Sequence, residues 1–492
     1  MKSRISFLLA LLAFALVVAT EAFAAGQFAW ERTFAESDAP YFVRVDQAGN
    51  IYVIGRYFVE SPENAEIFVK KFLPNNTLVW SDTTSGSDLK IPIAASVDAQ
   101  GNVYVLAQYV SDNVSPTIVY RFDSSDGDVA WGQSFYPAGN YKQSAARDLI
   151  VDGNGNVFAC CNFVVDDPQQ PLRSDTRSFL LCYNSGGSLQ WTKQASLQAP
   201  SITFERVKIG GNTVYVVGTL LNASENYDGF VAGYSKTGDS LFTAYSGLNP
   251  QNGVYSQGNA VDSSGNLLAI FSDSDSTIYR EFQPNGTTIF TRKGQRLGFN
   301  FKNAVCSDRL GNYYWVVVDE ANNQILQGRN SVGDISVNTV IDNVPSPYPI
   351  VFGGDNTLLT WSEDNRATQY SPGGYMLWQS TETYSSVGDY VSRNNASYWI
   401  LYLYDDVIPD LLYRKLVKYD LGSICGDADA SNQVTIGDAV FFINYIFVFG
   451  MAPMDRSHGD FDCNGQANIT DIVYLINFIF ASGPAPCAGC AQ

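Results

Sequence analysis

The phrase Val97-Asp98-Ala99-Gln100-Gly101-Asn102-Val103-Tyr104-Val105 constrains the fold more than any other stretch, because near copies of it recur along most of the chain. Close copies begin at Val45 (Asp46, Gly49-Asn50-Ile51-Tyr52) and at Val151 (Asp152, Gly155-Asn156-Val157-Phe158). Weaker ones lie at Ile209-Gly210-Gly211-Asn212, Val261 to Asn266, Cys306 to Asn312, Gly353-Gly354-Asp355-Asn356 and Ser392 to Asn395, which makes eight. Each reads as a strand, a tight turn and a second strand. An Asp side chain accepts a backbone N–H two residues on, and Gly and Asn tolerate the positive φ that reverses the chain. That local role accounts for the Asp without a metal.

Each copy leads into an alternating strand such as Ile51-Tyr52-Val53-Ile54-Gly55, apolar on both faces and so expected between two layers. A third strand follows, as in Glu66 to Phe72, and a turn such as Leu73-Pro74-Asn75-Asn76 opens a fourth. The fourth often carries an aromatic residue: Trp80, Trp131, Trp191 and Trp378, with Phe242 and Phe290 at the corresponding place. Four antiparallel strands repeated eight times predict an all-β fold, an eight-bladed β-propeller over residues 26–423, with seven blades as the alternative count. Gly26 to Arg32 resembles the fourth strand around Trp131, and the last repeat lacks a fourth strand. The N-terminal strand is therefore expected beside Leu416–Tyr419, closing the ring and removing an exposed edge.

The turn phrases resemble bacterial propeller repeats, including the repeat family named for seven-bladed propellers, and the Gly-x-x-x-Trp strands resemble those of quinoprotein-like propellers. A vicinal disulfide sits beside the quinone in some such dehydrogenases, and Cys160 and Cys161 are adjacent here. Successive strand residues face opposite ways. Two strand cysteines, or one bridged across the hairpin to Cys182, are the preferred readings, and quinone chemistry is the least favoured activity.

Composition closes off other classes. The 492 residues carry a net charge of −19 and a 46% hydrophobic fraction, so a globular chain is expected and a nucleic-acid partner is not. The single histidine, His458, lies outside the repeats, which leaves no Ser–His–Asp or Cys–His arrangement there. Asp405, Asp406 and Asp410 make an acidic loop that reads as a solvated turn rather than a cation site. Lys2, Arg4, an apolar run from Ile5 to Val18, and Ala22-Phe23-Ala24 form the pattern of a signal peptide over residues 1–24. Export to the extracellular space or cell surface is expected, with no membrane span afterwards. Exported cysteines are disulfide candidates, and Cys425, Cys463, Cys487 and Cys490 crowd the C-terminus. Cys425 and Cys487 are expected to clasp the ends of a C-terminal module.

That module, residues 424–490, carries the most specific motif. Asp427-Ala428-Asp429-Ala430-Ser431-Asn432-Gln433-Val434-Thr435-Ile436-Gly437-Asp438 returns 33 residues later as Asp460-Phe461-Asp462-Cys463-Asn464-Gly465-Gln466-Ala467-Asn468-Ile469-Thr470-Asp471. Each is a twelve-residue loop with oxygen side chains at places 1, 3, 5 and 12, the layout that wraps Ca²⁺ in an EF-hand loop. The expected ligands are Asp427, Asp429, Ser431, the Gln433 carbonyl and Asp438 at one site, and Asp460, Asp462, Asn464, the Gln466 carbonyl and Asp471 at the other. Gly465 makes the bend at place 6 of the second loop; Asn432 and Ser431 make the first site the looser.

An apolar helix follows each loop and none precedes the first. This doubled loop–helix resembles a type I dockerin, which implies a cohesin-like partner met at the loop ends, here Ile436-Gly437 and Ile469-Thr470. Dockerins commonly show hydroxyl and basic residues at these contacts; these helices have no Lys or Arg. Their apolar surface exceeds what so small a module buries, and must cover a partner or the propeller itself. The leading expectation is a secreted, non-enzymatic binding or scaffold protein. The alternative is a polysaccharide-degrading hydrolase or lyase carrying a dockerin, with polysaccharide as a further partner.

Overall fold

The computed structural model describes residues 27–58, 65–86, 89–110, 115–139, 141–166, 174–195, 199–295, 305–308, 311–318, 323–342, 350–352, 358–361, 366–370, 376–381, 383–393, 396–404, 412–420, 428, 436–448, 459–462, 464, 466, 468–481 and 483–484. The chain divides into two compact units, one spanning Phe28–Tyr419 and the other holding Asp420–Gln492.

Phe28–Tyr419 is an all-β propeller. Its described strands run from β1 (Gln27–Thr33) to β32 (Leu412–Asp420) and form four-stranded sheets, eight among the described residues. The first is β2 (Asp38–Val45), β3 (Ile51–Phe58), β4 (Ala65–Phe72) and β5 (Leu78–Thr83), hydrogen-bonded in chain order. Six more sheets follow in the same order. Their first strands are β6 (Leu89–Val97), β10 (Tyr141–Val151), β14 (Ser201–Gly210), β18 (Tyr255–Val261), β22 (Val305–Ser307) and β26 (Ile350–Phe352). These pack one against the next from β2 onward. The series ends on β30 (Ser386–Arg393), which packs against β2 again.

The last sheet has the order β1, β32, β31 (Ala396–Tyr404), β30, so the N-terminal strand completes it. Trp30 and Phe34 join the apolar cluster of Val43, Phe68, Phe72, Tyr398 and Leu416, and Lys415 Nζ meets Glu31 Oε1 at 2.7 Å. The ring-closing strand expected from the leftover fourth strand is thus found beside Leu416–Tyr419.

The opening phrase folds as its turn chemistry requires. At Asp98 the backbone N–H donates to Asn102 O (3.1 Å), Gly101 N–H to Asp98 O (3.1 Å), and Oδ1 accepts from Gln100 N (2.9 Å) and Asn102 N (2.8 Å). Gly101 has φ +82, which a side chain rarely adopts. The phrase also ends in a residue whose part was not legible: Tyr104 is fully buried and donates its hydroxyl to Asp98 Oδ2 at 3.1 Å. Tyr52 with Asp46 (3.0 Å) and Tyr314 with Asp308 (3.1 Å) repeat the contact. Each of these Asp carboxylates is occupied within its own turn, as the sequence reading held.

The fourth-strand aromatics latch one sheet to the next. The indole N–H of Trp30, Trp80, Trp131 and Trp191 donates to Pro74 O (3.1 Å), Ser124 O (3.2 Å), Ser185 O (3.0 Å) and Lys236 O (3.0 Å). Each acceptor lies in the turn between third and fourth strands of the following sheet. Gly187, in such a turn, has φ +84, and a Cβ there would stand 2.7 Å from the Trp131 ring. Gly187→Ala therefore combines left-handed strain of about 1–2 kcal/mol with displacement of the indole. Trp131→Phe loses one hydrogen bond, about 1 kcal/mol. Urea midpoints should fall more for Gly187→Ala than for Trp131→Phe; a glycine variant matching the parent would refute the latch.

Cys160 and Cys161 lie on β11 (Val157–Asp166) and pack into two different apolar clusters, as side chains on opposite faces must. Both are free thiols, as are Cys182 and Cys306. This corrects the hairpin bridge to Cys182: Cys160 stands opposite Leu180, while Cys182 stands opposite Phe158. Burial pushes the Cys161 and Cys182 thiols up to about 12, which leaves them un-ionised and unreactive.

Candidate metal centre

The C-terminal unit is built on two helices, α1 (Ile436–Val448) and α2 (Ile469–Ala481). They pack through Ala439, Phe442, Ile472 and Leu475, all buried, with Phe461 from the second loop and Ala428 from the first. Phe442 holds Phe461 with ring centroids 5.5 Å apart. A loop residue in the middle of the helix pair ties the loop's conformation to the packing. Among the described residues no helix is long and apolar enough to cross a membrane.

Asp460, Asp462 and Asp471 each bring a carboxylate oxygen to within 4.8 Å of the others. They are places 1, 3 and 12 of the second loop, converged by the fold. Asn464, at place 5, donates its backbone N–H to Asp460 Oδ1 (2.9 Å) and Asp462 Oδ1 (3.1 Å), wrapping the loop around the acids. Asp471 is fully buried at the start of α2. Its Oδ1 accepts from Phe461 N (2.8 Å) and Asp462 N (3.3 Å), and its Oδ2 from Asn468 N (2.8 Å). Burial raises its pKa above the ordinary carboxylate range and the neighbouring Asp462 charge adds to this, against the pull of those N–H donors. The Gln466 carbonyl accepts from Asn468 Nδ2 at 3.1 Å.

The donor set is entirely oxygen, two of its three acids are only partly buried, and the third is held at a helix N-terminus. Such a set suits a hard divalent cation and not a soft one. Two unit charges 4.8 Å apart oppose each other by about 3–4 kcal/mol at an effective dielectric of 20. A divalent cation between them would relieve that repulsion.

Of the first loop, Asp427, Asp429, Ser431 and Gln433 lie outside the described residues. So do Cys425, Cys463, Cys487, Cys490, the signal segment 1–24, and Asp405, Asp406 and Asp410. Asp438, its twelfth place, is fully buried in the first turn of α1, matching Asp471 in α2.

One residue was missed in the sequence. Asn468 caps α2: its Oδ1 accepts from Thr470 N (2.9 Å) and Thr470 Oγ1 (2.7 Å), while Asp471 reaches back to its N–H. Asn468-x-x-Asp471 was there to be read as a reciprocal cap. This occupies the Thr470 hydroxyl and leaves Ile469, 53% exposed, as the open residue of that pair; Ile436, 48% exposed, is its match on α1. The exposed apolar surface extends along both helices. Val440, Ile443 and Phe447 continue from Ile436, and Val473 and Phe480 continue from Ile469, at the same 33-residue spacing as the loops.

No family model matches the chain, and no curated protein matches its sequence. Similar solved structures exist. Sqt1 of Saccharomyces cerevisiae superposes with a TM-score of 0.52 at 11% identity, over 81% of this chain and 100% of that one. BamB from Moraxella catarrhalis superposes with a TM-score of 0.50 at 11% identity, over 82% of this chain and 99% of that one. At such identity the likeness is one of fold, a β-propeller.

Proposed function

We propose that the chain is an exported binding or scaffold protein, an eight-bladed propeller carried on a calcium-dependent, dockerin-like module that anchors it to a cohesin-type partner. The observation that supports this most is the convergence of Asp460, Asp462 and Asp471 at the foot of α2. Calcium is held there by those carboxylates together with Asn464, and by Asp427, Asp429, Ser431 and Asp438 in the companion loop. The ion supplies no chemistry. It neutralises the acids, so that each loop closes onto its helix and Phe461 reaches the shared core.

The duplicated exposed faces, Ile436-Val440-Ile443-Phe447 on one helix and Ile469-Val473-Phe480 on the other, are the surface a partner covers. Apolar area of this kind on a module with few buried residues among those described marks an interaction site. Calorimetric titration of the full chain with a panel of type I cohesin modules, in calcium, tests the reading. Val440→Asp with Val473→Asp should weaken binding at least tenfold without unfolding the helices, since both side chains are exposed. A panel in which no module binds the calcium-loaded chain would overturn the partner assignment.

A further inference from the structure

The repeat has one position where the charge changes sign. In the first two sheets the third-strand residue opposite the phrase's tyrosine is a cation: Lys71 faces Tyr52 and Arg121 faces Tyr104. In the fifth sheet, on β20 (Ser276–Phe282), the same position is Glu281, opposite Leu268 of β19 (Leu267–Ser272) and Phe290 of β21 (Thr288–Gln295). Glu281 is 1% exposed, and its Oε2 has no hydrogen-bond partner. Its Oε1 lies 2.7 Å from the hydroxyl of Tyr313, on β23 (Tyr313–Val318) of the next sheet, and that hydroxyl lies 3.3 Å from Asn266 O.

A carbonyl oxygen only accepts, and a phenol has one proton. If Tyr313 donates to Asn266 O, the proton between Tyr313 and Glu281 must come from the carboxyl. The titratable groups facing Glu281 are Asp262 in the turn before β19, Tyr215 on β15 (Thr213–Leu221) and Tyr313. The arginines of this seam are engaged elsewhere: Arg280 donates to Tyr245 O (2.6 Å), Arg292 pairs with Asp334 (3.3 Å), and Arg329 donates to Gly333 O (2.7 Å).

We infer that Glu281 is a proton-holding residue of the seam between the fifth and sixth sheets, neutral while they are packed and ionised only at the expense of that packing. Burial, with the Asp262 charge adding to it against the Tyr313 hydrogen bond, pushes its carboxyl from 4.5 up to about 7. The folded chain therefore keeps a proton that the unfolded chain releases above 4.5. Stability from this group is full at low pH, falls as pH rises from 4.5 to about 7, and is constant beyond.

Glu281→Gln keeps the shape and hydrogen bonding of the neutral acid without the titration. Relative to that variant, the wild-type unfolding constant should rise roughly tenfold or more between pH 5 and pH 8, read from urea midpoints of the propeller transition. Parallel pH profiles would overturn the inference. Infrared spectra of the wild type give an independent reading should the variant fail to fold. A protonated-acid carbonyl band present at pH 6, titrating near pH 7 and displaced in Tyr313→Phe supports it; a spectrum without such a band at pH 6 refutes it.

Discussion

Adding a chelator to the intact protein is expected to unfold the C-terminal unit and leave the propeller standing. The unit's described core is small, Ala428, Ala439, Phe442, Phe461, Ile472 and Leu475, and one of its members, Phe461, comes from the loop itself. Without a cation, Asp460, Asp462 and Asp471 repel one another across less than 4.8 Å. The loop then opens and Phe461 is drawn out of its place against Phe442. Each bound ion at a hundredfold excess over its dissociation constant adds about 2.7 kcal/mol, a large part of what so small a unit can hold in reserve. Calorimetry should show a low-temperature transition that moves with calcium and a higher one that does not. Asp471→Ala should abolish the calcium response of its loop and remove the reciprocal cap of α2, so it exceeds Asp460→Ala in effect. A low-temperature transition indifferent to chelation would mean that the three acids merely face water.

The second large effect is expected from removing residues 27–33. β32 would lose its hydrogen-bonded neighbour, and the seam would lose Trp30, whose indole meets Pro74 O, and Arg32, whose guanidinium bonds Asn76 and lies 4.8 Å over the Phe72 ring. The seam loses the partly buried Trp30 ring and its hydrogen bond, and the freed β32 edge invites pairing between chains. A chain starting at Phe34 should unfold at a clearly lower urea concentration and associate at concentrations where the parent is monomeric. An unchanged midpoint and mass would refute the closing role of β1.

The sequence alone determined what rests on local chemistry. The Asp–Gly–Asn turns, the alternation that sends Cys160 and Cys161 to different clusters, the leftover fourth strand and the twelve-residue spacing of the acids are written in a few neighbouring residues, because turn torsions and strand alternation act over that range. Only the tertiary structure decided which distant groups meet. That the fourth-strand tryptophans are latches follows from turns some 44 to 54 residues away. The unbridged Cys160 and Cys182 follow from the strand register, which sets Cys160 opposite Leu180 and Cys182 opposite Phe158. Glu281 looks like any strand glutamate until the next sheet brings Tyr313 against it. Burial and pairing between sheets arise from packing summed over many residues, and no short window of sequence carries that sum.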